Sequence, residues 1–192
     1  MKRQGFGILI TLLVVLAMGS AQGKECAGVS FPEQLQSAGG ELTLNGLGLR
    51  QATFLKVDVY VAALYLAEES GNANAILDPK AQKVLILHFV RDVDRDELSG
   101  GWDEGFEKNA KQQLPALKDR IETFKAMMVD MSTGERLRML YQPGKGVEVD
   151  VNGTPKGTIT GEDFARALFS IWLGSHPPNA DLKAGLLGGQ CG

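Results

Sequence analysis

With 192 residues, 44% of them apolar and 22% charged, the chain has the material for one domain with a sizeable core and too little bias to be disordered or fibrous. A net charge of −3 leaves no global basic field for a polyanion, which argues against nucleic acid as a partner. Two histidines and two cysteines leave zinc sites and nucleophilic triads little to draw on.

The first elements in chain order read as an export signal over residues 1–21. Lys2 and Arg3 form a charged start, an apolar run extends from Phe6 to Met18, and Gly19-Ser20-Ala21 supplies a small-residue cleavage site. The run is shorter than the roughly 18 to 20 residues that a bilayer core demands, so the expectation is a cleaved segment and no lasting membrane anchor. Cys26 follows Gly23-Lys24-Glu25, out of place for a lipid attachment. Loss of Lys2 and Arg3 moves the net charge from −3 to −5. The expected mature domain covers residues 22–192 and works outside the cytoplasm, in a compartment such as the periplasm. Disulfides persist there, so Cys26 and Cys191 are expected to bridge the two ends; two free thiols on frayed tails are the alternative. Neither cysteine lies in a Cys-x-x-Cys or a basic cluster, which argues against redox catalysis.

Val29 to Leu35 alternates weakly, Gly39-Gly40 marks a turn, and Leu42, Leu44 and Leu47 set up a period-two pattern, together predicting a hairpin. Thr53 to Leu66 is rich in Val, Tyr, Phe and Leu and predicts a long strand, bulged near Ala62-Ala63. A polar turn from Glu68 to Asn74 precedes the continuous apolar run Val84 to Val90, which predicts a central strand. Between Asp94 and Met131, Leu98, Trp102, Phe106, Leu114, Leu117, Ile121, Phe124 and Met128 recur at helical spacing, interrupted by Gly100-Gly101 and Pro115, and predict two or three helices. Leu137, Met139 and Tyr141 alternate, Pro143 to Gly146 turns the chain, Val147, Val149 and Val151 alternate back, and Asn152-Gly153 turns it again, predicting an antiparallel meander. Thr160 then reads as the cap of a helix carrying Phe164, Leu168, Ile171 and Trp172 and ending at Gly174. Antiparallel strands with helices grouped apart from them define an α+β class.

Generic chemical motifs fail on spacing. Gly46-Leu47-Gly48-Leu49-Arg50 begins like a dinucleotide fingerprint but has Gln51 where the third glycine belongs, and it runs into a strand. Asp92, Asp94 and Asp96 are spaced like calcium ligands, yet Glu97 stands where that loop needs glycine; a solvated acidic helix start is the better reading. Asn152-Gly153-Thr154 matches a glycosylation sequon and is first a turn. His88 reads as a hydrogen-bonded core residue within its strand, and His176, before Pro177-Pro178, has no cluster to complete a metal shell.

Three segments occur in one order over nearly all of the expected mature chain. They are Gly46-Leu47-Gly48-Leu49-Arg50 with Lys56-Val57-Asp58-Val59-Tyr60-Val61-Ala62-Ala63-Leu64-Tyr65-Leu66, Glu97-Leu98-Ser99-Gly100 leading through Trp102 to Asn109, and Trp172-Leu173-Gly174 with Pro178-Asn179-Ala180-Asp181-Leu182-Lys183. Together they resemble the paired strands, the cleft helix and the C-terminal signature of chalcone isomerase-like proteins, here in an exported bacterial form. The resemblance implies an α+β fold in which a large antiparallel β-sheet is covered by a layer of α-helices, an open-faced sandwich with a ligand cleft between the layers. The element reading agrees with it.

The family's plant enzymes cyclise chalcones, and related members without that activity bind fatty acids through an arginine that holds the carboxylate. Arg50 falls on that arginine and Asn109 on the asparagine of the cleft helix. Tyr60 stands where the enzymes have a strand threonine, Trp102 where they have a tyrosine if one gap is allowed, and Ile171 where they have a late threonine or serine. Losing hydroxyls at Trp102 and Ile171 removes partners worth about 1 kcal/mol each, so a flavonoid loses its polar fixing points. A long apolar carboxylate suits the residues present: Arg50 offers a planar fork, Tyr60 a further donor, and Trp102, Phe106 and Ile171 an apolar lining. The expected ligand set is therefore Arg50, Tyr60, Trp102, Phe106, Asn109 and Ile171, with a fatty acid or similar carboxylate as partner and neither cofactor nor metal. Two alternatives stand beside it. One is an intramolecular lyase with Arg50 as electrophile and Tyr60 as proton donor. The other is a structural envelope protein in which Arg50 makes an internal salt bridge and Tyr60 and Trp102 only fill the core.

Overall fold

The computed structural model describes residues 23–191; the expected signal segment lies outside them. Seven strands form one antiparallel sheet in strict chain order: β3 (Gln34–Ser37), β4 (Gly40–Ala52), β5 (Val57–Leu66), β6 (Lys83–Phe89), β7 (Arg136–Gln142), β8 (Gly146–Val151) and β9 (Thr154–Ile159). A separate hairpin of β1 (Gly23–Cys26) and β2 (Val29–Pro32) precedes it. Helices α2 (Arg95–Ala110) and α3 (Leu114–Ala126) are inserted between β6 and β7, and α4 (Glu162–Leu173) and α5 (Ala180–Leu186) follow β9. The expected α+β architecture is present, with the apolar run around Leu85 at the centre of the sheet as predicted.

The helices cover one face of this sheet. Leu64, Leu85, Leu87, Met139, Val147 and Val149 point into a core completed by Phe106, Leu117, Phe124, Phe164, Leu168 and Trp172. The opposite parity, Leu42, Leu44, Leu47, Val61, Ala63, Tyr65, Val84 and Ile86, forms a second cluster under Phe31 and Cys26. The Tyr65 hydroxyl donates to the Pro32 carbonyl at 2.9 Å and pins the β1–β2 hairpin over this second face. The Cys26–Cys191 bridge, with α carbons 5.9 Å apart, closes the same layer.

Several local expectations change on inspection. The hairpin around Gly39-Gly40 is present, but Leu44 and Leu47 share a face only because the ladder is irregular between Leu44 and Gly46, where the buried Asn45 is the extra residue. Asn45 is satisfied by the Ser70 N–H at 2.7 Å and the Leu186 carbonyl at 2.7 Å. Thr53 to Lys56 is not strand but the turn between β4 and β5. The irregularity of the second hairpin lies opposite Arg50/Gln51, at Val59, and the strand runs unbroken through Ala62-Ala63. A short helix α1 (Ala73–Leu77) follows the polar turn, capped by the Asn72 side chain. Gly100-Gly101 does not interrupt α2, which starts on an Asp94 side chain that accepts from the Glu97 N–H at 2.7 Å. Thr160 does not cap α4. Gly161 holds that position, at a φ of 107°, and the Thr160 carbonyl accepts from Arg120. Arg120 also grips Asp163 with both nitrogens at 2.6 Å, tying α3 to α4.

Candidate functional site

The pattern Gly46-x-Gly48-x-Arg50 acquires a physical meaning on β4. Alternate residues of a strand share a face, and here that face lies under α5. A Cβ on Gly48 would stand 2.7 Å from Cδ1 of Leu182 and closer still to that residue's carbonyl oxygen, and one on Gly46 would strike the backbone of Gly185 and Leu186. The two glycines let α5 lie directly on the strand backbone. Arg50, next on the same face, emerges where α5 begins, beside Asn179. It pairs across the ladder with Tyr60, which faces the helices on the same parity as Ala62 and Leu64, while the irregularity brings Val59 onto that face as well.

Arg50 and Tyr60 line one end of a cavity of ≈ 290 Å³ between the sheet and α2. Trp102 and Ile171 line it as well, so four of the six expected ligand residues converge. Leu98, Gly101, Trp102 and Gly105 form its helical wall, one stripe of α2 at i, i+3, i+4 and i+7. Glycines in a helix interior cost about 1 kcal/mol each, and two of them have visible uses here. Gly101 has nothing within 4 Å of the place its Cβ would occupy, which leaves the cavity open, whereas a Cβ on Gly105 would meet Cγ2 of Ile171 at 2.7 Å.

Phe106 and Asn109 do not line the cavity, which corrects the expectation for both. Phe106 lies one turn beyond Trp102 and points into the core against Phe124 and Phe164, with ring centroids 6.5 and 6.1 Å away. Asn109 is past the end of the wall. Its amide donates to the Gly105 carbonyl at 3.1 Å and the His176 carbonyl at 3.0 Å, and its oxygen accepts from the His176 N–H at 3.0 Å. With its donors engaged, it braces the loop between α4 and α5 and leaves no N–H for a ligand.

That loop contributes residues that the sequence did not single out for the site. His176, Pro177 and Pro178 close one side of the cavity, and Glu104 and Lys108 flank it, ion-paired to each other. Asn179 positions the arginine. Its oxygen accepts from Arg50 Nη1 at 3.2 Å and from the Gln51 N–H at 2.9 Å, and its amide returns a bond to the Gln51 carbonyl at 3.0 Å. Arg50 Nη1 also donates to the Gln51 carbonyl. Among the described residues Nε and Nη2 have no partner and Arg50 makes no salt bridge, so the open edge of the guanidinium remains for an oxyanion. His88 is elsewhere, on the opposite face of the sheet, where its Nδ1 accepts from Arg136 Nε at 3.0 Å. Burial, and then the Arg136 charge, push its pKa down.

Tyr60 and the indoles make the polar part of the interior. Trp172 Nε1 donates to the Tyr60 hydroxyl at 3.0 Å, and the hydroxyl proton itself goes to no acceptor among the described residues. Burial raises the Tyr60 pKa to about 12, against smaller lowering effects from the Trp172 bond and the Arg50 charge; at neutral pH Tyr60 is a phenol and a donor. Trp102 stacks edge-on to Phe124 and Trp172, with centroids 5.3 and 5.6 Å apart, and its buried indole N–H has no acceptor among the described residues. The interior therefore holds more donors than acceptors. Replacing Tyr60 by Phe is expected to leave the Trp172 N–H unpaired as well, destabilising the fold by about 1 to 3 kcal/mol. A thermal melt should show the midpoint falling by roughly 2 to 4 °C per kcal/mol. Among the described residues no cluster of three or more His, Cys, Asp and Glu could hold a metal.

Comparison with known proteins bears on this arrangement. A search of the solved structures returns a fatty-acid binding protein of Arabidopsis thaliana with a TM-score of 0.67 at 16% sequence identity, covering 84% of this chain and 92% of that one. At that identity the likeness establishes the shared fold. No curated protein matches the sequence. The pattern that defines the chalcone isomerase-like proteins matches residues 23–188, a span holding β4, β5, the α2 wall and the Asn179 loop, and the chain therefore belongs to the chalcone isomerase-like family.

Proposed function

We propose that this protein, once exported from the cytoplasm, binds a small amphipathic carboxylate such as a fatty acid without turning it over. The observation that carries the reading is Arg50. It lines a cavity of mixed apolar and polar walls, held by Asn179 from one side, with Nε and Nη2 unengaged. A carboxylate suits that fork, and an apolar tail suits Val59, Leu98, Trp102 and Ile171. The Tyr60 phenol is a second donor beside the same charge. The apolar Ile171 and the bulk of Trp102 favour binding over cyclisation, because they offer a developing enolate no further support. The fatty-acid binding protein that shares the fold supports the ligand class. Export rests on the apolar N-terminal segment, and a disulfide between Cys26 and Cys191 suits an oxidising compartment.

Titrating the protein with dodecanoate in a calorimeter tests the reading. Arg50→Ala should weaken binding by about 10- to 100-fold, the value of a charge-assisted bond, and the methyl ester should bind the native protein no better than the acid binds the variant. Equal affinity in native and variant protein contradicts the proposal. Chalcone turnover that disappears in Arg50→Ala would assign an isomerase instead. Protein for this test, recovered from the extracytoplasmic fraction, should begin at Gln22; recovery only from the cytoplasm with Met1 intact contradicts export.

A further inference from the structure

The turn between β4 and β5 presents two large apolar side chains to solvent. Phe54 is 92% exposed and Leu55 70%, and Val57 beside them is 40% exposed; among the described residues these are the large hydrophobics left uncovered. A scattered exposed leucine needs no explanation, but adjacent aromatic and aliphatic residues at the apex of a projecting hairpin do. The turn is also held in an unfavourable backbone. Thr53 and Lys56, neither of them glycine, have φ of 61° and 52°, in the left-handed region that a β-branched residue rarely enters. The Lys56 N–H bonded to the Thr53 carbonyl at 3.2 Å and the Leu55 N–H bonded to Thr53 Oγ1 at 3.3 Å fix it there. Phe54 and Leu55 are thus kept at the tip with no core of their own.

The tip adjoins the mouth of the cavity. Ala52 and Arg50, on the outgoing strand, line it, as do Val59 and Tyr60 on the returning one. Two residues span at most about 7 Å, so Phe54 lies within that distance of Ala52 along the chain. We propose that this hairpin tip docks on a lipid bilayer, Phe54 and Leu55 entering the acyl boundary and Lys56 meeting anionic headgroups, so that the cavity mouth is set against the membrane surface. Shape and area favour a bilayer. The patch is the tip of one turn, two or three side chains wide, far short of the roughly 800 Å² per partner that a stable protein interface or dimer buries, whereas a fluid interface accepts a few projecting apolar side chains with a flanking lysine. This inference stands on the tip and goes beyond the ligand reading: a docked tip is expected even if the cavity takes some other molecule.

The test uses the chain as the cell delivers it and vesicles of equal parts phosphatidylethanolamine and phosphatidylglycerol. In Phe54→Trp the new indole should shift to the blue on adding vesicles and be quenched by lipids brominated on the acyl chains. The double variant Phe54→Ser/Leu55→Ser should melt like the native protein and partition about 100-fold more weakly, roughly tenfold for each side chain withdrawn. Lys56→Glu should weaken binding only to vesicles that contain phosphatidylglycerol. Arg50→Ala should bind vesicles like the native protein while losing dodecanoate, which separates failure of the ligand reading from failure of this one. An unshifted and unquenched Phe54→Trp, equal partitioning of the double variant, or a concentration-dependent dimer that the double variant dissolves would each overturn the proposal.

Discussion

Replacing Gly48 by valine is expected to lift α5 off the sheet and to destabilise the protein by about 4 kcal/mol. The strand and helix meet along a seam of three glycines. A Cβ on Gly185 would collide with the Leu47 carbonyl and come within 3.2 Å of the Gly48 α carbon, and Cβ atoms on Gly46 and Gly48 would collide with the backbone of α5. Backbone atoms cannot swing aside as a long side chain does. The helix must move, and it carries Leu182 and Leu186, both fully buried, each worth roughly 1.5 to 3 kcal/mol of burial. Overpacking alone costs about 1 to 3 kcal/mol. The melting midpoint should fall by about 10 °C, as read by circular dichroism. Movement of α5 also drags Asn179, so dodecanoate binding should weaken beyond what unfolding explains. Gly71→Val, whose Cβ meets a single carbonyl at an ordinary 3.6 Å, should leave the midpoint nearly unchanged and serves as the control.

Cys191→Ser comes next in size. The bridge joins residues 165 apart in sequence, and a cross-link closing so long a loop removes much of the freedom of the unfolded chain. The chain-entropy account gives about 4 to 5 kcal/mol for loops of this order, and measured bridges more often give 2 to 4. A loss of about 3 kcal/mol in urea unfolding is expected, with the slope against urea also changed because the unlinked chain expands further. Dithiothreitol should bring the native protein to the level of the variant and leave the variant where it was. An unchanged midpoint in both experiments would show that the ends are held by packing alone.

The sheet was legible in sequence because its strands obey local rules. Alternation in Leu137 to Tyr141 and Val147 to Val151 predicts paired strands about the Pro143 to Gly146 turn, and Asn152-Gly153 after them predicts the next turn, which indeed has φ of 52° and 76°. What escaped was displacement by single residues. A bulge at Asn45 or Val59 is a matter of hydrogen-bond register, and side-chain period only hints at it, in the three-residue step from Leu44 to Leu47. The family resemblance marks Arg50, Tyr60, Trp102 and Ile171, all of which line the cavity, and strand parity agrees for Arg50 and Tyr60. Phe106 and Asn109 were misplaced for a helical reason: they belong to the stripe of α2 that continues past the cavity into the core and the α4–α5 loop. Asn179 belongs to the C-terminal signature, but nothing local reveals that a residue 129 positions from Arg50 holds it. The glycines of α2 carried a usable signal, since a helix tolerates Gly101 and Gly105 only where something else needs the space.

The seven strands lie side by side in the order in which they are translated. Each strand therefore finds its neighbour by closing a hairpin, or by passing over the α1 segment or the α2–α3 insertion, and the sheet demands few distant encounters. The cavity is the exception, because around the α2 wall it joins residues from opposite ends of the described chain: Arg50 and Tyr60 from the second and third strands of the sheet, Ile171 and His176 to Pro178 from α4 and the loop after it. A protein truncated between β9 and α4 could pair all seven strands and still lack the side of the cavity that Ile171 and His176 to Pro178 supply. Occupancy of the cavity is thus a readout of a finished chain, and a ligand that bridges its two sides would favour the completed molecule over every shorter or partly opened form.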